Sequence, residues 1–183
     1  MKYSTLLLGF LAAIIGCSTS LAQGRKFSNP RFNYRLSIPN GWSLSETGFD
    51  VMLYSYKRSE ALPQGLYPSK GAEIWVTPFS AVKAGTRIDN LDRWIQDNLT
   101  TEQTRVSITP VGGSKDENAP QNVVRVEADF GASSQDELQH EVSYYFVTRG
   151  RMFRLMLVYW NDNPNSKALN AICESVLRSF RSE

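Results

Sequence analysis

Residues 32–42 read FNYRLSIPNGW, and the apolar side chains of Phe32, Tyr34, Leu36 and Ile38 fall on one parity, with Asn33, Arg35 and Ser37 on the other. Strict alternation predicts a half-buried strand. Pro39-Asn40-Gly41 predicts a turn, because proline presets φ while asparagine and glycine tolerate positive φ. Trp42 and Leu44 open a second strand, Gly48 interrupts it, and residues 49–56 read as a third. AEIWVTPF, residues 72–79, predicts a fourth, with Pro78 near its end where the ladder can spare a donor. Residues 105–109 and 123–130 predict two more. Residues 24–29 read as a short polar lead, and polar loops are expected at 111–122 and 132–139. The segment 57–71 contains Pro63, Gly65, Pro68 and Gly71 and reads as a long loop.

The stretch VSYYFVTRGRMFRLMLVYW, residues 142–160, breaks the alternation rule. Arg149-Gly150 marks a tight reversal, yet apolar side chains occupy both parities of the flanking segments. Val142, Tyr144 and Phe146 stand against Tyr145 and Val147; Phe153, Leu155, Leu157 and Tyr159 stand against Met152, Met156, Val158 and Trp160. A pair of strands greasy on both sides belongs at the middle of a sheet with both faces covered. A partner protein on one face is the alternative. Two amphipathic helices can provide the cover. The first is expected at residues 89–99, with Ile88, Leu91, Ile95 and Leu99 on one face and Thr86 or Asp89 as N-cap. The second carries Leu169, Ile172, Cys173, Val176, Leu177 and Phe180 at helical spacing, with Asn163 as the expected N-cap and Pro164 at the first helical position.

Short turns between many successive strands favour antiparallel pairing over repeated βαβ crossovers. The expectation is an α+β fold, an antiparallel sheet of about six to eight strands with helices packed on both faces, an α/β/α sandwich. FNYRLSIPNGW, TRGRMFRLMLVY and a terminal helix ending SVLRSF together resemble the PsbP/Mog1-like superfamily, over roughly residues 32–180. That resemblance implies a bent antiparallel sheet between helices. Its motifs are packing motifs, so they speak to fold far more than to function. The relatives it implies are accessory or assembly factors, including lumenal photosystem subunits, cyanobacterial lipoproteins and exported bacterial proteins.

The N-terminus changes the picture of where the chain works. Lys2, then an apolar run over residues 6–16, then small residues describe a secretory signal peptide rather than a membrane span. Ser20-Leu21-Ala22 suits cleavage before Gln23, giving residues 1–22 as signal and 25–183 as a single domain. Ile14-Ile15-Gly16-Cys17 resembles a lipobox, in which cleavage before Cys17 leaves that cysteine as a lipid attachment site and tethers the protein to a membrane. The expected location is extracytoplasmic: periplasmic or secreted.

Removing Lys2 leaves 19 basic residues from the 20 in the chain, against 18 acidic ones. Near-balance gives no electrostatic case for nucleic acid. With Cys17 cleaved or acylated, Cys173 stands alone, so no internal disulfide is expected. His140 is the only histidine, and it reads as a strand-edge polar residue because no G-x-S-x-G elbow or triad pattern accompanies it. Three candidate zinc ligands at most, His140, Cys173 and Cys17, make a poor metal set. Cys173 lies on the apolar stripe and reads as a small buried hydrophobe. Asp116 with Glu117, and Asp136 with Glu137, are neighbouring acids without a calcium-loop pattern. Gly112-Gly113-Ser114-Lys115 lacks phosphate-loop spacing, and Asn98-Leu99-Thr100 is a glycosylation triplet only in a eukaryotic pathway. Leu62, Leu66 and Tyr67, flanked by Lys57, Arg58 and Lys70, form the candidate interaction surface. The expected function is that of a non-catalytic exported accessory module that binds a protein partner, with no cofactor. A small apolar-ligand carrier, with its pocket between sheet and helix, is the alternative; a hydrolase is the third reading.

Overall fold

The computed structural model describes residues 24–60, 68–79, 91–98, 103–130 and 138–183. Residues 1–22, with Cys17, the expected signal peptide and lipid site, lie outside them, as do Leu62, Leu66, Tyr67, Asp136 and Glu137.

The chain runs β1 (Lys26–Asn29), β2 (Tyr34–Ser37), β3 (Ser43–Thr47), β4 (Asp50–Tyr54), β5 (Ala72–Pro78), α1 (Leu91–Asn98), β6 (Gln103–Gly112), β7 (Gln121–Phe130), β8 (Gln139–Thr148), β9 (Arg151–Trp160), α2 (Ser166–Ser179) and β10 (Arg181–Ser182). Seven strands form one sheet in the order β3-β4-β5-β9-β8-β7-β6, and β1, β2 and β10 form a second. Every pairing is antiparallel. The α+β class and the antiparallel sheet follow the sequence reading. β9 is the central strand of the seven and β8 lies beside it, where their two-sided apolar character placed them.

Turn chemistry sets the registers. Trp42 N–H donates to the Pro39 carbonyl across the Pro39-Asn40-Gly41 turn, with Gly41 at φ 77°. Thr148 pairs with Arg151 around a two-residue loop in which Arg149 and Gly150 both have positive φ, the I′ pattern that suits strand twist. Thr47 pairs with Asp50 around Gly48 and Phe49, with positive φ at Gly48. Most of the polar lead at 24–29 is in fact the strand β1, Lys26–Asn29: Phe27 pairs with Leu36, and its ring meets Tyr34 edge-on. A single apolar residue among polar ones carried too little periodicity to reveal it.

The side chains on alternate positions of β8 and β9 enter two clusters. Tyr144, Phe146, Phe153, Leu155, Leu157 and Tyr159 join Tyr34, Leu36 and the α2 stripe in the larger one. Phe180 is at its centre, with ring centroids 5.0 Å from Tyr34 and 4.9 Å from both Phe146 and Phe153. Tyr145 and Met152, on the intervening positions, join Val124, Val126 and the α1 residues Leu91 and Ile95 in the smaller one. At about 1.5–3 kcal/mol gross for each large apolar side chain, burial of the α2 stripe far exceeds what helix propensity contributes.

The start of α2 corrects the sequence reading. The N-cap is Asn165, not Asn163, and Pro164 stands before the helix. Asn163 is buried and serves the approach instead: its Oδ1 accepts from Asn165 N–H at 2.9 Å, and its amide donates to the Ser69 and Gly71 carbonyls at 3.3 Å. The Ser/Asn-rich run offers several equivalent caps, and the side chain that could tie two loops together was drawn into that role.

Candidate functional site

Three charged residues on one parity of β7, Arg125, Glu127 and Asp129, lie between apolar neighbours on the other, Val124, Val126 and Ala128. Register with β8 sets Asp129 opposite His140, Glu127 opposite Val142 and Arg125 opposite Tyr144. His140 therefore reaches two carboxylates: Nδ1 is 2.9 Å from Asp129 Oδ1 and Nε2 is 3.0 Å from Glu127 Oε1. Each carboxylate also holds a guanidinium, Asp129 with Arg105 at 2.6 Å and Glu127 with Arg125 at 2.5 Å. The result is a continuous chain of polar contacts, Arg105–Asp129–His140–Glu127–Arg125. Arg125 and then His140 hold the Glu127 carboxyl below its ordinary range, against the opposing effect of burial.

His140 is thus not at a strand edge. β8 has neighbours on both sides, and the imidazole lies 5.2 Å from the Tyr159 ring, tilted at 44° to it. Both ring nitrogens are therefore engaged by carboxylate oxygens. Neither nitrogen is left for a serine hydroxyl, as a nucleophilic triad would need. Glu127 and Asp129 flank the ring instead of converging on one point. Among the described residues no group of three or more His, Cys, Asp or Glu side chains is placed to hold a metal ion.

An open cleft of about 570 Å³ lies beside this chain, lined by Arg125, Glu127, Tyr159, Lys167, Asn170 and Glu174. Asn170 donates from Nδ2 to the Tyr159 hydroxyl at 3.1 Å and to the Ser166 carbonyl at 3.0 Å, pinning α2 to β9. Charged and amide groups in the lining suit a polar occupant better than the apolar ligand the sequence suggested.

Cys173 is fully buried, and burial raises its thiol well above the ordinary value, so it packs as a hydrophobe. Asp116 builds its own turn by accepting from Asn118 N–H and Nδ2 at 3.0 and 3.1 Å. Two buried carboxylates escaped the sequence reading. Glu73 accepts from the Tyr56 hydroxyl at 2.5 Å and from Trp75 Nε1 at 2.9 Å; Glu141 accepts from Ser143 Oγ at 2.7 Å. Strand alternation around Glu73 was masked by β5 being apolar on both sides. For β7, the R-x-E-x-D spacing was a visible signal of one charged face.

A second grouping lies at the opposite kind of surface. Phe49, at the tip of the β3–β4 hairpin, is 61% exposed. The Arg31 guanidinium carbon is 4.4 Å from the Phe49 ring centre and 5.3 Å from that of Phe32, and the two rings are 6.2 Å apart. Arg151, leaving the β8–β9 turn, donates to the Phe32 carbonyl at 2.7 Å. Three turns thus meet at one corner of the molecule. Sequence periodicity gave no notice of it, since Phe49 read as the first residue of a strand.

No family model matches the chain, and no curated protein does. Solved structures do. A Bacteroides thetaiotaomicron protein is similar at a TM-score of 0.50 and 13% identity over 88% of this chain; the chain spans about half, 49%, of that protein's length. The cyanobacterial PsbP protein CyanoP of Synechocystis sp. PCC 6803 is similar at a TM-score of 0.45 and 16% identity, over 91% of this chain and 96% of that one. A Pseudomonas aeruginosa protein of unknown function follows at 0.43 and 11%, over 85% and 96%. At these identities the likeness is one of fold.

Proposed function

We propose that the chain is an exported, non-catalytic accessory module that docks a protein partner through the corner built by Arg31, Phe32 and Phe49. Its sheet is held between two helical layers, α2 over one face and α1 over the other; the alternate positions of β8 and β9 that feed the two hydrophobic clusters support this arrangement. With the sheet faces occupied, recognition falls to the rim. The observation that carries the reading is Phe49. A 61% exposed aromatic side chain held under a guanidinium is an ordered apolar anchor of the type that dominates protein interfaces. The engagement of both His140 nitrogens by carboxylates favours a structural over a catalytic role for the one histidine.

Export follows from the signal-like residues 1–22, and a lipid tether from Cys17. Intact-mass measurement of the protein recovered from fractionated native cells tests this part. A mature chain beginning at Gln23, or at Cys17 with added acyl mass, outside the cytoplasm is the expected result. A full-length chain starting at Met1 in the cytoplasmic fraction would contradict it.

A further inference from the structure

The docking corner carries a charge pattern that the proposed reading does not use. Arg31, Arg149 and Arg151 are all exposed. Arg151 reaches the carbonyl of Phe32, the residue whose ring lies under the Arg31 guanidinium, and Arg149 is two positions before it at the tip of the same hairpin. Among the described residues none of the three has a carboxylate partner. Four other arginines are paired with a carboxylate, Arg35 with Glu183, Arg105 with Asp129, Arg125 with Glu127 and Arg178 with Glu174, and what sets the corner apart is that three exposed guanidinium groups gather around an exposed ring. Arg31 is also partly immobilised, by two rings and by its bond to the Gly48 carbonyl at 3.4 Å. An ordered guanidinium with unused donors beside an exposed ring is prepared to take a carboxylate at little entropic cost.

Resting on the proposed docking function, we infer that the partner presents an acidic segment carrying an aromatic or large apolar side chain. The carboxylates engage Arg31 and Arg151, and the apolar side chain lies on Phe49. Charge complementarity selects this occupant over an anionic lipid surface. Glu46 and Asp50 flank the corner on β3 and β4, and both act on the neighbouring Tyr34. These two carboxylates oppose an extended anionic surface, which must approach them as well as the arginines, more than they oppose a single acidic side chain placed on one guanidinium.

The test measures binding of a short fluorescent peptide alternating Asp and Trp to the full mature chain, beside the same peptide with Asn for Asp. Phosphatidylcholine vesicles with and without phosphatidylserine form the third arm. The acidic peptide is expected to bind at least about ten-fold more tightly than the Asn peptide and to weaken as salt rises. Arg31→Glu and Phe49→Ser should each remove that preference, and Arg178→Glu on α2 should not. All three residues are exposed, so near-ultraviolet circular dichroism should match the parent. Equal binding of the two peptides, no binding, or a phosphatidylserine-dependent vesicle association that Arg31→Glu abolishes would each overturn the inference. If the acidic peptide fails while position 49 still cross-links to a partner in cells, the acidic chemistry is wrong and the docking function stands. If both fail, both are wrong.

Discussion

Five side chains, Arg105, Asp129, His140, Glu127 and Arg125, show how charge is taken into this fold without being left unpaired. Each carboxylate contacts one guanidinium and one imidazole nitrogen, which offsets the desolvation that an isolated charge would suffer. Glu127 gives the network a pH signature. Its folded pKa is lowered, so its stabilisation is present above the ordinary value of 4.5 and is lost as pH falls through the folded value. Glu127→Gln should therefore cost about 1 kcal/mol at neutral pH, a figure already reduced for partial solvent screening. The two proteins should converge in stability in strong acid, as followed by urea unfolding at a series of pH values. An equal difference at pH 7 and pH 2 would show that Glu127 contributes by packing alone. At this scale the sequence was only partly legible. Cys173 could be placed from its spacing on the helix, but His140 could not, because its partners lie eleven and thirteen residues away across a strand pair whose register no local pattern states.

At the scale of elements, periodicity was a good guide wherever apolar residues were numerous. The alternation of FNYRLSIP, the two-sided hairpin and the stripe of α2 each led to the right element. Periodicity gave no signal where few apolar side chains were involved, as in β1 and the two-residue β10, both of which pair with β2. The long loop nominated as an interaction surface lies with Leu62, Leu66 and Tyr67 outside the described residues, and the corner that emerged instead is built by turns, whose chemistry reports conformation and not neighbours. Edge strand β6 shows familiar protection: Pro110, positive φ at Arg105 and two breaks of register. The joint between the two sheets is Phe180, in contact with Tyr34, Phe146 and Phe153. Phe180→Ala should destabilise by about 3–5 kcal/mol, read from the thermal or urea transition. A loss below about 1 kcal/mol would mean that α2 and the small sheet are held by something other than this aromatic cluster.

For the molecule as a whole, the sheet is the scaffold and the rim is where recognition is proposed. Antiparallel strands joined by two-residue turns bring distant segments to one corner: residues 31–32, 48–49 and 149–151 meet there although more than 100 positions separate the first from the last, as in the 119-residue span of the Arg151–Phe32 bond. Fold class was open to sequence reasoning because packing leaves a periodic trace. A surface assembled from three turns leaves none. The most direct test of the docking account replaces Phe49 by the photoreactive residue p-benzoylphenylalanine in the native cell, with the same replacement at Glu174 as a comparison site. Irradiation from position 49 should yield one prominent protein adduct that Arg31→Glu suppresses. The same adducts from both positions, or none from position 49, would contradict it.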